Sequence, residues 1–237
     1  MSFSPEERTD VTVLEMQSDG SSEVIHTACE WLLGRVRVVK AFHQMLIRIV
    51  GRDVMDQCMT NCSDVYDDIS LEISIKLRAV DKVQSKKITL KVPVIIMETF
   101  EDSGLPIQDA VDQANINGKI IWSHDKMRMD ANVFRELCAD ALDSTRLFVH
   151  GVLAHRSCKE TDVIIMTGEF SSSPLLQESI KSAFSNMRVI IPPNNEHAAL
   201  VGAVIFAHAR LPFKPQCSSS DPQVRSRGKY PPYRHRE

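Results

Sequence analysis

The stretch from Thr161 to Ile191 constrains the fold more than any other part of the chain. Thr161-Asp-Val-Ile-Ile-Met166 is a short apolar run bounded by turn residues, the pattern of a buried strand. Thr167-Gly168-Glu169-Phe170 follows as a tight loop, and Pro174-Leu-Leu-Gln-Glu-Ser-Ile-Lys181 opens with a proline that suits the first turn of a helix. Residues 187–191 (Met-Arg-Val-Ile-Ile) make a further strand, and a helix is expected from Glu196 to Ala209, with Gly202-Ala203 small enough for close packing. Strand, helix, strand and helix in succession imply an α/β layer with some parallel pairing.

The rest of the chain supplies a hairpin and several helices. Residues 10–17 and 22–27 are rich in β-branched residues, and Ser18-Asp19-Gly20-Ser21 between them is turn chemistry. Phe42, Met45, Leu46 and Ile49 fall at i, i+3, i+4 and i+7, with Gly51 as a stop signal. A second helical stretch runs from about Asp53 to Val80, broken near Asn61-Cys62-Ser63. Its carboxylates Asp64, Asp67, Asp68 and Glu72 read as a solvated face, because they lack the glycine and alternating spacing of a calcium loop. Residues 87–92 alternate as a half-buried strand does, a helical segment follows around 105–115, and Gly118-Lys-Ile-Ile-Trp122 reads as another strand. Asp130 then caps a long amphipathic helix carrying Val133, Leu137, Ala141, Leu142 and Val149. Residues 212–237 hold five prolines and six Lys/Arg against two acids, with almost no aliphatic periodicity, and read as a disordered or loosely docked tail.

Charge and cysteine usage exclude several classes. A net charge of -3 gives no basic field, so nucleic acid is not expected as a partner. The N-terminus lacks the apolar core of a signal peptide and no uncharged apolar run is long enough to cross a bilayer, which points to a cytoplasmic protein without membrane association. Six dispersed cysteines (Cys29, Cys58, Cys62, Cys138, Cys158 and Cys217) read as free thiols. Cys58 and Cys62 could share a helix face near His43, yet buried thiols explain them better than zinc ligands do. His150 and His155 have no carboxylate or cysteine pattern of a metal or hydrolase site, and Asn61-Cys62-Ser63 is a chance sequon. No nucleophile elbow, His-Glu-x-x-His or Walker loop occurs.

The segment Asp162-Val-Ile-Ile-Met-Thr-Gly-Glu-Phe-Ser-Ser-Ser-Pro-Leu-Leu-Gln177 resembles the adenosine motif of the actin-like ATPase superfamily, and specifically that of the heat shock 70 kDa protein 12-like branch of the heat-shock 70 kDa family. Gly168, Phe170, Ser173, Pro174, Leu176 and Gln177 are the matched positions. Ile190-Ile-Pro192, Ala198, Leu200, Gly202-Ala-Val204, Phe42 to Gly51 and Gly118 to Asp130 continue the resemblance, which covers roughly residues 8–210. It implies an actin-like ATPase (ribonuclease H-like) lobe, the second lobe of a nucleotide-binding domain, with a mainly helical insertion at about 37–150, a tail from 211 to 237 and the first lobe missing. A lone glycine in a strand-to-helix loop is most often a connector; here the weight rests on the longer pattern. A glycine at a strand's carboxyl end lets backbone approach adenine and ribose, and the following helix N-terminus offers unpaired N–H donors.

The resemblance also implies site residues. Gly168, Glu169, Phe170 and Ser173 fall at the adenosine turn, Lys76 and Arg78 on the helix from which the family contacts adenine, and Asp10 at the acid after the phosphate loop, the one catalytic position with a counterpart. Three departures weaken the catalytic reading. Pro5-Glu6-Glu7 and Arg8 stand where the family has glycines and a threonine, and proline lacks the donor that phosphate needs while two carboxylates repel it. The second glycine-rich stretch is reduced to Trp31 and Gly34 within Ala28 to Arg35. The adenosine pair is Gly168-Glu169, where a glutamate could instead accept from ribose hydroxyls. Half a cleft positions little of the phosphoryl transfer machinery. Expected is therefore a fragment or degenerate paralogue that binds ATP or ADP weakly through adenosine, with little use of Mg, no measurable ATPase activity and a chaperone-related role. It would associate with a protein partner or itself through the exposed lobe surface. The alternatives are an interaction module without nucleotide binding, or a truncated form of a full ATPase.

Overall fold

The computed structural model describes residues 8–80, 86–116 and 119–208. The expectations for Pro5-Glu6-Glu7, for Gly118 and for the tail lie outside them. The chain divides into two compact units, 1–201 and 202–237.

The first unit opens with β1 (Arg8–Met16) and β2 (Ser22–Trp31), an antiparallel pair turned at Asp19 and Gly20. Asp19 accepts from both the backbone N–H and the hydroxyl of Ser21, which holds its carboxyl below the usual range. The register shifts between Val13 and Leu14, where a bulge absorbs one residue of β2. Helices α1 (Arg35–Val50), α2 (Arg52–Asn61) and α3 (Val65–Ala79) follow. Phe42, Met45, Leu46 and Ile49 of α1 are all buried, as their spacing requires, and Gly51 closes the helix at φ 88°, a conformation that favours glycine.

Next come β3 (Lys87–Lys91), α4 (Val94–Glu101), α5 (Ile107–Gln113), β4 (Ile120–Ser123) and β5 (Lys126–Asp130). The strands form an antiparallel sheet in the order β3-β5-β4. Helix α6 (Ala131–Leu153) starts at Asp130, whose carboxylate accepts from the Asn132 N–H at 3.0 Å. The main core gathers α1, α3, α6 and the three-stranded sheet around Phe42, Leu46, Ile69, Ile73, Leu90, Met127, Met129 and Phe134.

The last part of this unit carries β6 (Val163–Ile165), α7 (Pro174–Ala183) and β7 (Arg188–Ile190). Strands β6 and β7 pair in parallel, Ile164 opposite Val189, as a strand-helix-strand unit should. A smaller core of Met166, Leu176, Ile180 and Phe184 sits under them. Helix α8 (Ala198–His208) is apolar and crosses the boundary between the two units.

Two expectations change. Glu72 is not on a solvated face. It is 8% exposed, and its Oε1 accepts from the Lys91 N–H at 3.0 Å and pairs with Lys76 Nζ at 3.2 Å, while Asp64, Asp67 and Asp68 are exposed as expected. The one sheet layer becomes three small sheets, and the chain is a mixed helix and strand protein dominated by helix.

Candidate functional site

The turn after β6 is built from the chain itself. Gly168 has φ 93° and ψ 168°, a backbone that an L side chain rarely adopts, and a Cβ placed there would meet no atom within 4 Å. The glycine is required by conformation, and its face is open. Glu169–Ser172 then form a 3-10 turn, and Ser173 precedes Pro174 at the start of α7. Ser173 is fully buried and its hydroxyl has no hydrogen-bond partner among the described residues.

Asn195 holds this turn in place. Its carbonyl accepts from the Gly168 N–H at 2.8 Å, its Nδ2 donates to Ser171 Oγ, and its Oδ1 accepts from Ser172 Oγ at 3.1 Å. Ser171 Oγ in turn donates to the Gly168 carbonyl at 2.6 Å, and Gln177 Nε2 donates to the Ser171 carbonyl at 2.8 Å. Asn195 begins a second 3-10 turn, Asn195–His197, entered through Asn194 in the left-handed region at φ 55°. Sequence reasoning passes over Asn195. The signal available was the Pro192-Pro193-Asn194-Asn195 run, whose last two residues favour a left-handed turn.

Several of the expected residues converge on this turn from distant positions. Arg35, next to Gly34, places Nε 3.5 Å from Glu169 Oε2 and also donates to Ser70 Oγ. Arg78 Nη1 of α3 reaches Glu196 Oε2 at 3.0 Å, in the turn that holds Gly168. Phe170 packs against Gly34. Lys76 is engaged with Glu72 on its own helix. Asp10 is not drawn in by any of these bonds; it lies exposed on β1 and pairs with Arg8 at 2.9 Å.

The electrostatic balance follows. Arg35 and Arg78 each face a carboxylate of the chain at the turn, so their positive charge is compensated internally, as is that of Lys76 by Glu72 on α3. A hollow of about 580 Å³ exists elsewhere, lined by Gln108, Asp112, Asn115, Lys119 and neighbouring apolar residues of α5 and β4, and contains none of the expected site residues.

A parallel strand-helix-strand unit with a positive-φ glycine at the strand's end defines a mixed α/β protein whose open turn lies at the carboxyl end of its strands. No family model matches the chain. It is similar to the heat shock 70 kDa protein 12 proteins: it is 23% identical to human heat shock 70 kDa protein 12B over 205 residues, or 84% of this chain and 30% of that protein. Heat shock 70 kDa protein 12A of human and mouse matches at 22% over 201 residues, 83% of this chain and 30% of each relative. The chain thus spans about a third of the length of the curated relatives it matches.

Proposed function

We propose that the chain is one lobe of a heat shock 70 kDa-type nucleotide-binding domain, actin-like in fold, with its helical insertion between about 37 and 150. In this reading it has kept the adenosine turn and lost the phosphate grip. The observation that carries it is the convergence of Gly34-Arg35, Arg78 and Gly168-Glu169-Phe170, far apart in sequence, on one turn with an open glycine. Adenine and ribose would lie over Gly168, with Glu169 and Arg78 at the edge and Phe170 and Ser173 supporting the turn from behind. The internal pairing of the basic residues favours weak ADP or ATP binding through adenosine, with Mg contributing little and no turnover from Asp10. A chaperone-related, cytoplasmic role completes this reading.

Calorimetric titration tests this directly. Adenosine, AMP and ADP should bind with similar weak affinity, insensitive to magnesium, and phosphate release from ATP should stay at background. A strong preference for ATP with magnesium would overturn the loss of phosphate recognition, and an absence of adenosine binding would overturn the adenosine assignment.

A second reading, an interaction module that binds a protein partner or a second copy, is favoured by exposed apolar side chains. Leu71 and Ile75 stand four apart on α3, and Ile165 of β6 is 62% exposed. Sedimentation at increasing concentration separates this from a monomeric binder.

A further inference from the structure

We propose that His26, His155 and Cys158 form a metal site, with zinc(II) as the ion whose chemistry they fit. One ligand atom from each, an imidazole nitrogen from each histidine and the Cys158 sulfur, lie within 4.8 Å of one another. His26 comes from β2, whereas His155 and Cys158 come from the short 3-10 turn that follows α6, Arg156–Cys158, and its preceding residue. The site therefore joins segments more than a hundred residues apart, and only the fold shows it.

The local structure explains how the three are aimed. The bulge between Val13 and Leu14 breaks the alternation of β2, so that Ile25 and His26 are both partly buried in succession. His26 then stacks on His155, ring centroids 4.5 Å apart and planes within 16°. Cys158 is 2% exposed and lies against Val13 and Val152, with Ile25, Ala28 and Phe148 behind, an apolar wall that keeps water from one side. His155 is exposed, which leaves an open approach for the ion.

Ligand chemistry selects the metal. Two imidazoles and a thiolate suit zinc, at about 2.0–2.1 Å for nitrogen and 2.3 Å for sulfur, with the fourth tetrahedral position open to water or a further ligand. Those bond lengths place ligand atoms about 3.3–3.6 Å apart, so a pair at the full 4.8 Å needs to close by about 1.2–1.5 Å, which requires the two rings to turn out of their stack. Ser157 Oγ lies 2.7 Å from His155 Nδ1. Nδ1 also accepts from the Ser157 N–H at 3.4 Å, a long bond that leaves the Nε2 proton in place; ligation through Nε2 gives up that bond and moves the proton to Nδ1, where Ser157 Oγ accepts it as the outer support of a ligating histidine. Binding releases the thiol proton to solvent and leaves the sulfur as thiolate. The bound ion would fasten the β1–β2 hairpin to the end of α6.

The full chain, stripped with chelator and titrated with cobalt(II), tests the site. One cobalt per chain is expected, with a thiolate-to-cobalt charge-transfer band and tetrahedral visible bands, both removed by one equivalent of zinc. Cys158→Ser should lose the charge-transfer band, and His26→Gln and His155→Gln should each weaken zinc binding about tenfold or more. Zinc should raise the melting temperature of the wild-type chain and raise that of the variants less at the same zinc concentration. Far-UV circular dichroism checks the fold of each variant, and the half-buried His26 and exposed His155 keep the test decisive if the buried Cys158→Ser fails to fold. A wild-type chain without the charge-transfer band, a band that survives in Cys158→Ser, or histidine variants that bind zinc as tightly as the wild type would each overturn the assignment.

Discussion

The ring of Phe170 occupies the space that a side chain on Gly34 would need: a Cβ there would stand 3.0 Å from Phe170 Cδ1. Gly34 also holds φ 70°, just before α1. The contact joins the entrance of the first helix to the turn after β6, and both faults of a substitution fall on one atom. Gly34→Ala should cost about 2 kcal/mol or more, of which about 1–2 kcal/mol is the left-handed backbone. Gly51→Ala, at φ 88° with nothing within 4 Å of its Cβ, carries the strain alone and should cost less. Urea unfolding of both variants measures the difference, and equal losses would mean that the Phe170 ring yields without cost.

Asn195 is the second test of the turn. Asn195→Ala removes the side-chain hydrogen bonds to Ser171 and Ser172, the first of which also donates to the Gly168 carbonyl, and should destabilise the chain by about 1–3 kcal/mol. Because its backbone carbonyl still accepts from Gly168, the loss should be local. Hydrogen exchange should show faster opening at residues 168–173 with little change in α1 or α6. Uniform acceleration across the chain would mean that Asn195 supports the whole fold, not the turn.

Periodicity and punctuation carried much of this fold in plain sight. The α1 stripe, the Asp130 cap, the Ser18 to Ser21 turn and the β6-α7-β7 unit each rest on local signals that tertiary packing reinforces. Strand β5 was missed because Lys126-Met-Arg-Met-Asp130 alternates without β-branched residues, and its hairpin turns through His124 at φ 51°, a residue that gives no glycine or asparagine signal. Helix α4 hides behind Pro93, where a strand ends and a helix starts with no capping side chain. Glu72 reads as solvated because the Lys91 N–H that buries it lies on another element. For the site, Gly168 was legible from its strand and proline. Its links to Arg35, Arg78 and Asn195 were not, since nothing local to those residues encodes a partner dozens of residues away. The same holds for His155 and its neighbour His26 on β2; the His155-x-x-Cys158 spacing was in the sequence, but it lacked a further ligand nearby.

His43 gives a pH dependence near neutrality. Burial pushes its imidazole below the ordinary 6.5, with Asp56 opposing and Arg52 adding to the shift, and its Nε2 is buried without a partner among the described residues. The folded chain therefore keeps His43 neutral at a pH where the unfolded chain protonates it. Its contribution to stability is present above 6.5 and is lost as pH falls below that value. Urea unfolding between pH 8 and 5 should show a decline that is shallower in His43→Gln, and an identical slope in the two proteins would remove His43 as its source.

Cys138 acts at the opposite end of the scale. It is buried in the main core on α6, and desolvation alone pushes its thiol up from 9.0 to about 12. In the unfolded chain the thiol loses its proton above about 9, whereas in the folded chain it holds it, so unfolding releases a proton throughout this interval. Stability is unaffected by this group below pH 9 and falls above it by about 1.4 kcal/mol per pH unit. Lysines and tyrosines titrate in the same range, so the comparison is with Cys138→Ala, whose stability at pH 8 is lower through the lost packing but whose decline above pH 9 should be shallower by that amount. The same burial makes Cys138 inert to maleimide at pH 8 while the exposed Cys29 reacts. Mass spectrometry of the labelled chain reads this directly: modification of Cys138 as fast as Cys29 without denaturant, together with parallel pH profiles for the two proteins, would show that the thiol is neither buried nor shifted.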